Sequence, residues 1–194
     1  MPYSLDAIAD NCYPDTTVLI NKLDIRDEAL LNEVEATLVS AKAVLWENNP
    51  LLSTFDFTHY KTIHLFLFEN LYDWAGQVRT VNISKKGTSF CSFEDIEDQA
   101  CRIFVRLRSL ELFKNLDRRE FLSEIVDFYC ATNHLHPFRE GNGRAQRVFI
   151  TQLINSAGYD FDFADVDSDL LMIATIQSAS GVTDLLKKLF EDLI

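Results

Sequence analysis

The sequence predicts an all-α fold, a helical bundle that carries one small β-hairpin. Apolar residues recur at spacings of three and four over most of the chain, which is the period of amphipathic helices. One segment, residues 79–93, instead shows the alternation typical of strands. The 194 residues contain no repeat, low-complexity stretch or long Gly/Pro linker. We therefore expect a single domain over residues 1–194, with one sizeable core.

Three helices are predicted in the first 110 residues. Asp27 can cap a helix that reaches about Asn48, and Pro50 follows its end. Helical spacing within it is shown by Leu30, Val34, Leu38, Ala41 and Leu45. A second helix covers about residues 57–71, and its inward residues are Tyr60, Ile63, His64, Leu67 and Phe68. A third begins after Ser92, whose side chain can cap it, and runs to about residue 110.

The hairpin lies between the second and third helices, over about residues 79–93. Val81 and Ile83 alternate with polar residues, and a turn at Lys85-Lys86-Gly87 follows. The return strand is Ser89-Phe90-Cys91. An exposed edge of this kind can pair with an extended segment of another protein.

Four further helices are predicted after the third. One covers residues 117–134 and ends near His134, because Pro137 disfavours helical geometry at His136. The next covers residues 144–156 and is closed by Gly158, and a final pair covers about residues 168–178 and 183–193. The first two of these helices are joined by a loop, and Phe138 is expected to anchor that loop in the core.

The loop and the helix after it, residues 136–147, have the sequence His-Pro-Phe-Arg-Glu-Gly-Asn-Gly-Arg-Ala-Gln-Arg. Free N–H groups and the dipole of a helix N-terminus favour an anion. Gly141 and Gly143 let the backbone approach phosphate oxygens closely. Arg144 and Arg147 are three residues apart, so we expect them on one helical face, where they can bind a phosphate. These features predict a phosphate site.

Two other residues of the loop indicate chemistry. Glu140 would repel a bare phosphate but suits Mg²⁺, which binds carboxylate and phosphate oxygens together. His136 is expected to be largely neutral at pH 7 and able to accept a proton. The loop therefore predicts a phosphate site with a base and a magnesium ligand. We interpret His64 as a hydrogen-bonded core residue rather than a catalytic one.

The segment 136–147 resembles the signature of the Fic family, His-x-Phe-x-(Asp/Glu)-Gly-Asn-Gly-Arg-x-x-Arg, with every fixed position filled. Residues 63–64 and 72–79 resemble the family's segment that leads into a hairpin flap, and residues 13–14 and 19–23 resemble the start of small bacterial members. The similarity covers the chain from about Tyr13 to Phe190. It implies a Fic-like helical bundle with a β-hairpin flap.

The resemblance also implies a reaction, the transfer of AMP from ATP to a Ser, Thr or Tyr hydroxyl of a target protein. His136 would be the base and Glu140 the Mg²⁺ ligand. Gly141, Asn142 and Gly143 would form the anion hole, and Arg144 and Arg147 would hold the outer phosphates. The flap would position the target through Ser84, Lys85, Lys86 and Gly87. Transfer of UMP, phosphocholine or phosphate by the same fold, or a non-catalytic nucleotide-binding role, are the alternatives.

Regulation is predicted from a pattern that the chain lacks. Many family members carry an inhibitory helix with the pattern (Ser/Thr)-x-x-x-Glu-(Gly/Asn). Here Glu47, Glu69 and Glu140 are the glutamates followed by Gly or Asn, and Ala43, Leu65 and His136 precede them by four residues. None fits the pattern. The resemblance therefore implies either a separate small antitoxin protein as inhibitor, with a groove for its helix beside Arg147, or an effector that is not self-inhibited.

Composition restricts the partners and the location. A net charge of −12 argues against direct binding of nucleic acid or of an anionic membrane. The four cysteines lack metal-ligand spacing, so we expect buried free thiols in a reducing compartment. No stretch has the composition of a signal peptide or a membrane span. We expect a cytoplasmic protein, or an effector that is secreted.

Overall fold

The computed structural model describes residues 11–51, 53–85 and 88–194. Seven α-helices form most of this part of the chain. They are α1 (Glu28–Asn48), α2 (Phe57–Phe68), α3 (Ile96–Ser109), α4 (Arg118–Leu135), α5 (Asn142–Ser156), α6 (Ser168–Ala179) and α7 (Asp184–Leu193). Strands β1 (Ser84–Lys85) and β2 (Thr88–Ser89) form an antiparallel hairpin between α2 and α3. The predicted all-α class with a small hairpin is confirmed.

The two helices that flank the loop have well-defined ends. Asp117 caps α4, since its carboxylate accepts from the Glu120 N–H at 2.9 Å and the Glu120 carboxylate accepts from the Asp117 N–H at 3.3 Å. α4 ends at Leu135, and His136 takes a left-handed φ of 41°. α5 begins after Gly141, whose φ is 78°. The end predicted near His134 is therefore confirmed, and the loop is short.

The core surrounds α5, which packs against α1, α2 and α4. Its fully buried apolar residues are Ala145, Phe149, Ile150, Leu153 and Ile154. The ring of Phe138 is also fully buried and stacks on His64 at 3.8 Å and on Tyr60 at 5.6 Å between ring centroids. Phe138 thus anchors the loop in the core, as its sequence position predicted.

Helix α1 differs from the prediction in the face that it buries. None of the five residues whose spacing predicted it is buried, and Leu30 and Leu45 are 49% and 62% exposed. The buried residues are Leu31, Glu35, Val39 and Trp46. A glutamate lies on the inner face, and hydrophobic periodicity does not mark a buried carboxylate. The buried face of α1 is therefore offset by about one residue from the face that the sequence predicted, and that prediction was wrong.

Helix α2 ends three residues before the predicted Leu71, but all five residues predicted to point inward are buried. Ser92 makes no side-chain cap, and a short 3₁₀ turn at Phe93–Asp95 leads into α3 instead. The two strands of the hairpin are shorter than predicted. Lys85 pairs with Thr88 within the hairpin, whereas the sequence placed Lys85 in the turn. Lys86 and Gly87 lie outside the described residues.

Two further findings concern the cysteines and the surface. Cys91 is buried, but Cys101 is exposed, so the prediction of buried thiols was wrong for Cys101. None of the helices in the described ranges combines the length and the apolar character that a membrane-spanning helix needs.

Candidate active site

The loop between α4 and α5 is braced by its own side chains. The Asn142 side chain accepts from the Phe138 N–H at 2.8 Å and donates to the Phe138 carbonyl at 2.7 Å. Gly141 has a positive φ, and a Cβ there would lie 2.3 Å from Cζ of Phe68, so only glycine fits. The N-terminus of α5 is therefore held in one position.

Two N–H groups are available to a ligand at this N-terminus. The N–H groups of Arg144 and Ala145 donate to the Gly141 carbonyl, each at 3.1 Å. Those of Asn142 and Gly143 have no acceptor among the described residues. Such N–H groups, aligned with the helix dipole, attract an anion. The predicted anion site thus has two N–H donors from the backbone of α5, while the Asn142 side chain braces the loop.

The imidazole of His136 lies at the other end of the loop. Its Nδ1 is 3.0 Å from the Asn133 carbonyl oxygen, and since a carbonyl only accepts, Nδ1 carries the proton. The pKa of His136 is lowered to about 3; burial is the main cause, the nearby charges of Lys85 and Arg79 add to it, and the bond to Asn133 opposes it. At pH 7 the imidazole is neutral, with the lone pair on Nε2.

The base of the flap is attached to the loop through Arg79, which is buried. Its Nε donates to the His136 carbonyl at 2.8 Å, its Nη1 donates to the Val81 carbonyl at 2.7 Å, and its Nη2 donates to the Cys91 carbonyl. Its backbone N–H donates to the Pro137 carbonyl at 2.8 Å. Arg79 therefore bonds the carbonyls on both sides of the paired strands, at residues 81 and 91.

A cavity of about 410 Å³ opens between the loop, the flap and α6. The residues of the loop and α5 that line it are His136, Glu140, Asn142, Gly143, Gln146 and Arg147. Lys85, Thr88 and Phe90 of the flap region form another wall, and Leu171, Met172 and Ile176 of α6 form an apolar wall. The volume is in the range of small-molecule sites, and polar groups converge at one end. The cavity suits a ligand with an anionic part and a flat or apolar part.

Arg147 lies at the polar end of the cavity. A Cβ on Gly143 would lie 3.3 Å from its Nη1, so the guanidinium is next to the N-terminus of α5. No carboxylate of the described residues forms an ion pair with it. A half-buried cation without a protein counter-ion favours binding of an anion from outside.

Arg144 pairs with two carboxylates. Its Nη2 lies 2.6 Å from Oε1 of Glu35 and 3.5 Å from Oε1 of Glu140, and it does not line the cavity. Its guanidinium also lies over the ring of Phe68, at 4.8 Å from the centroid. The structure therefore separates the two arginines that the sequence placed together, and brings only Arg147 to the cavity.

Glu140 lines the cavity and is partly exposed. Its Oε1 accepts a hydrogen bond from the Gly141 N–H at 2.9 Å. The described residues contain no group of three side chains that would hold a metal ion by themselves. One carboxylate at the cavity fits Mg²⁺ that takes its other ligands from phosphate oxygens and water.

His64 has the structural role that the sequence predicted. It is fully buried, its Nε2 lies 2.9 Å from the Glu140 carbonyl, and its Nδ1 accepts from the Gly76 N–H at 2.9 Å. The carbonyl only accepts, so Nε2 carries the proton. Burial lowers the pKa of His64 to about 3, which keeps the ring neutral. Its two bonds attach the Glu140 backbone to the turn after α2.

Comparison with known proteins gives the class to which this fold and site belong. The model of the Fic/DOC family matches residues 54–154. The chain is 36% identical over 173 residues to a probable protein adenylyltransferase, y4lH of Sinorhizobium fredii, covering 88% of each chain. It is 31% identical over 182 residues to the probable protein adenylyltransferase Fic of Escherichia coli, covering 94% of this chain and 90% of that one. The chain belongs to the Fic/DOC family.

A longer relative and a solved structure extend the comparison. The chain is 37% identical over 176 residues to the protein adenylyltransferase VbhT of Bartonella schoenbuchensis; the match covers 91% of this chain but only 37% of VbhT. The crystal structure of BepC from Bartonella tribocorum, with bound AMPPNP, has a TM-score of 0.89 and 30% identity, and the match covers 94% of this chain and 95% of that one.

A second solved structure carries a different nucleotide. The N-terminal Fic domain of a Bartonella quintana protein, with bound ADP, has a TM-score of 0.91 and 29% identity. That match covers 95% of this chain and 94% of the other.

Three residues around the site were not among the candidates drawn from the sequence. Glu35 is one of four glutamates on α1, and no sequence pattern distinguishes it from the exposed ones. Arg79 and Phe90 belonged to segments noted only for the hairpin. Phe90 stacks on His136 at 3.7 Å between ring centroids. The one signal available in the sequence was that a basic residue, Arg79, occupies the first position of the predicted hairpin.

Proposed function

We propose that this protein is a protein adenylyltransferase, which transfers AMP from ATP to a Ser, Thr or Tyr hydroxyl of a target protein. One observation carries the proposal: a neutral imidazole lines one cavity with two helix N–H groups and an arginine that have no acceptor or counter-ion among the described residues. The relatives named as protein adenylyltransferases, and the similar structures with bound AMPPNP and ADP, support the same reaction.

The chemistry follows from the positions of these groups. Nε2 of His136 takes the proton of the target hydroxyl, whose oxygen forms a bond to the α-phosphorus. The bond from that phosphorus to the oxygen shared with the β-phosphate breaks, and pyrophosphate leaves. The N–H groups of Asn142 and Gly143 stabilise charge on the phosphate oxygens, and Arg147 holds the outer phosphates.

Magnesium is the proposed cofactor. Glu140 would hold it, since its carboxylate is at the cavity and no other described carboxylate lines that wall. When bound, Mg²⁺ neutralises charge on the α- and β-phosphates. The role proposed for Arg144 changes with its geometry, because it pairs chiefly with Glu35, and Arg147 is the arginine placed to contact phosphate.

The target protein is proposed to dock on the flap. Ser84 and Lys85 form the described part of its first strand, and Lys85 and Thr88 line the cavity. Pairing of a target segment with this edge would use backbone groups and so would tolerate many sequences. Ser84→Pro removes an edge N–H, whereas Ser84→Ala keeps it. We expect the proline variant alone to lose target modification while both variants bind ATP; equal modification by both would contradict flap docking.

Inhibition by a separate small antitoxin is proposed from the missing inhibitory pattern. Met172 and Ile176 are about half exposed and line the same cavity as Arg147, so a partner helix seated on α6 would bring a glutamate to that arginine. Co-expression with the product of an adjacent short reading frame tests this. The partner should co-purify and suppress transfer, and replacing its pattern glutamate by glycine should restore transfer. A complex that stays active would contradict this mode of inhibition.

The test of the activity is transfer of label from ATP to proteins in a lysate, with Mg²⁺ present. Label should move from α-labelled ATP but not from γ-labelled ATP, and the modified peptide should gain the mass of AMP. His136→Asn should abolish transfer, and His134→Asn is the matched control. An added mass that corresponds to UMP, phosphocholine or phosphate would contradict the proposed reaction and identify the group that is transferred instead.

The identity of the target also bears on location. We propose that the protein acts in the cytoplasm, either of the cell that makes it or of another cell, because the similar protein BepC is described as a translocated effector.

A further inference from the structure

A buried ionic cluster lies beside the loop and outside the cavity. Glu35, in the middle of α1, is 6% exposed, and its Oε1 lies 2.6 Å from Nη2 of Arg144. Its Oε2 accepts a hydrogen bond from the hydroxyl of Tyr72, which is also buried. A carboxylate inside a protein is costly unless a cation and hydrogen bonds compensate it. Both oxygens of Glu35 are compensated, one by each partner.

Arg144 is shared between two carboxylates. Its Nη2 is 2.6 Å from Glu35 but 3.5 Å from Glu140. Because the attraction between charges grows as their distance falls, the guanidinium is bound chiefly to Glu35. Phe68 lies under the guanidinium, at 4.8 Å from the ring centroid, and limits its movement. Glu140 therefore keeps a carboxylate at the cavity that is only partly neutralised.

We infer that Glu35 is a positioning residue for Glu140: by binding Arg144, it keeps that guanidinium from closing on the carboxylate that meets the divalent cation of the nucleotide. The inference rests on the proposed function, because it requires Glu140 to meet a cation–nucleotide complex. Without the charge of Glu35, Glu140 is the one carboxylate within 4 Å of Arg144 in the described chain. Arg144 would then compete with the cation for Glu140.

The experiment measures cation binding rather than turnover. Mn²⁺ binding is followed by electron paramagnetic resonance in the presence of α,β-methylene ATP, which cannot release pyrophosphate. Glu35→Gln keeps the shape of the side chain and removes its charge. We expect it to bind Mn²⁺ about tenfold more weakly than the unmodified protein, within the usual range of coupling between neighbouring charged groups.

Two further variants separate positioning from a loss of structure. In Glu35→Gln/Arg144→Met the competing cation is gone, so Mn²⁺ affinity should return to at least that of the unmodified protein. Tyr72→Phe keeps the ring but releases one oxygen of Glu35, so it should weaken Mn²⁺ binding by a smaller factor. Glu124→Gln is the matched control, because it removes an ion pair of the same 2.6 Å length, to Arg106, away from the cavity.

The outcomes are distinguishable. Equal Mn²⁺ affinity of the unmodified protein and Glu35→Gln would overturn the inference and leave the proposed function intact. A double variant as weak as Glu35→Gln would also overturn it, since competition by Arg144 would not be the cause. If the unmodified protein binds no Mn²⁺ with the analogue, the inference and the magnesium-dependent reaction both fall. Thermal unfolding of each variant identifies the variants that are folded. If Glu35→Gln is not folded, the Mn²⁺ affinity of Tyr72→Phe tests the inference instead.

Discussion

The imidazole of His136 lies face to face on the ring of Phe90, with 3.7 Å between ring centroids and 12° between ring planes. Phe90 follows β2 and lines the cavity, so a residue of the flap covers one face of the proposed base. This stack contributes to the burial that lowers the pKa of His136 to about 3. The position of the flap and the proton affinity of the base are therefore linked.

Phe90→Ala should change the pH dependence of transfer. Removing the ring exposes the imidazole to water, so the pKa of His136 should rise from about 3 toward its ordinary value of 6.5. The unmodified protein should lose no activity through this residue down to about pH 5, whereas the variant should lose activity below about pH 6.5. The measurement is kcat/KM against pH. Phe90→Leu, which retains burial, is the control, and superimposable profiles for all three proteins would contradict the link.

Three buried histidines, His59, His64 and His136, have lowered pKa values, which predicts that stability falls in mild acid. His64 and His136 have pKa values of about 3 in the folded protein and take a proton near pH 6.5 when unfolded. The unfolded state binds more protons between these values, so their contribution is complete above pH 6.5 and is lost as the pH falls below it. Between pH 7.5 and 5.5, His64 and His136 together should contribute a loss of about 2.7 kcal/mol to the free energy of unfolding measured in urea, and His59 should add to it.

A variant tests which residues produce this loss. His136→Asn removes one of these groups, and asparagine tolerates the left-handed φ of 41° at this position. The loss over the same pH interval should become smaller by about 1.4 kcal/mol. An unchanged pH dependence in the variant would show that His136 is not neutral in the folded protein.

Gly141→Ala should be strongly destabilising. The positive φ at this position disfavours any Cβ, and the new Cβ would lie 2.3 Å from Cζ of Phe68. Phe68 has little room to move because it stacks on His64 at 4.6 Å and lies under Arg144. We expect a loss of about 2–4 kcal/mol in the free energy of unfolding.

Gly181→Ala is the matched control for that loss. Gly181 also has a positive φ, of 84°, but a Cβ there meets nothing within 4 Å. In Gly181→Ala the free energy of unfolding should fall by about 1 kcal/mol, which is the cost of the positive φ alone. Urea unfolding of both variants measures the difference, and equal losses would show that contact with Phe68 is not the cause.

Arg147→Ala should weaken the use of ATP without destabilising the fold. The arginine has no ion pair with a described carboxylate, so its removal leaves no buried charge uncompensated. Loss of a charge-assisted bond to phosphate should lower kcat/KM for ATP by about 10- to 100-fold. Arg108→Ala, at an exposed position, is the control. Unchanged kinetics would remove Arg147 from the site.

Arg144→Ala, unlike Arg147→Ala, should destabilise the fold. It would leave the buried carboxylate of Glu35 without its cation, so the free energy of unfolding should fall by about 3 kcal/mol. Double replacement with Glu35→Gln should recover much of this loss, because no charge then remains buried at that position. The comparison of the single and double variants by urea unfolding checks this, and additive losses would contradict it.

Several features of the fold and the candidate site could be predicted from local sequence. The end of α4 before Pro137 and the close approach that only glycine allows at position 141 depend on local chemistry, and both were found where the sequence indicated. His136, Glu140, Asn142, Gly143 and Arg147 are close in the sequence and line one cavity, so their proximity also followed from the sequence.

The sequence by itself thus determined the helical class, the order of the helices and a loop that carries a base beside a helix N-terminus. Tertiary structure alone decided which side chains meet that loop. Glu35 and Arg144 are separated by 109 positions in the chain, and Arg144 pairs with Glu35 rather than lining the cavity. Phe90 reaches His136 from a segment 46 positions earlier in the chain, which Arg79 and the Cys91 N–H attach to the loop and to α4. Such contacts depend on how helices pack in three dimensions, and the periodicity of one segment carries no information about its partner.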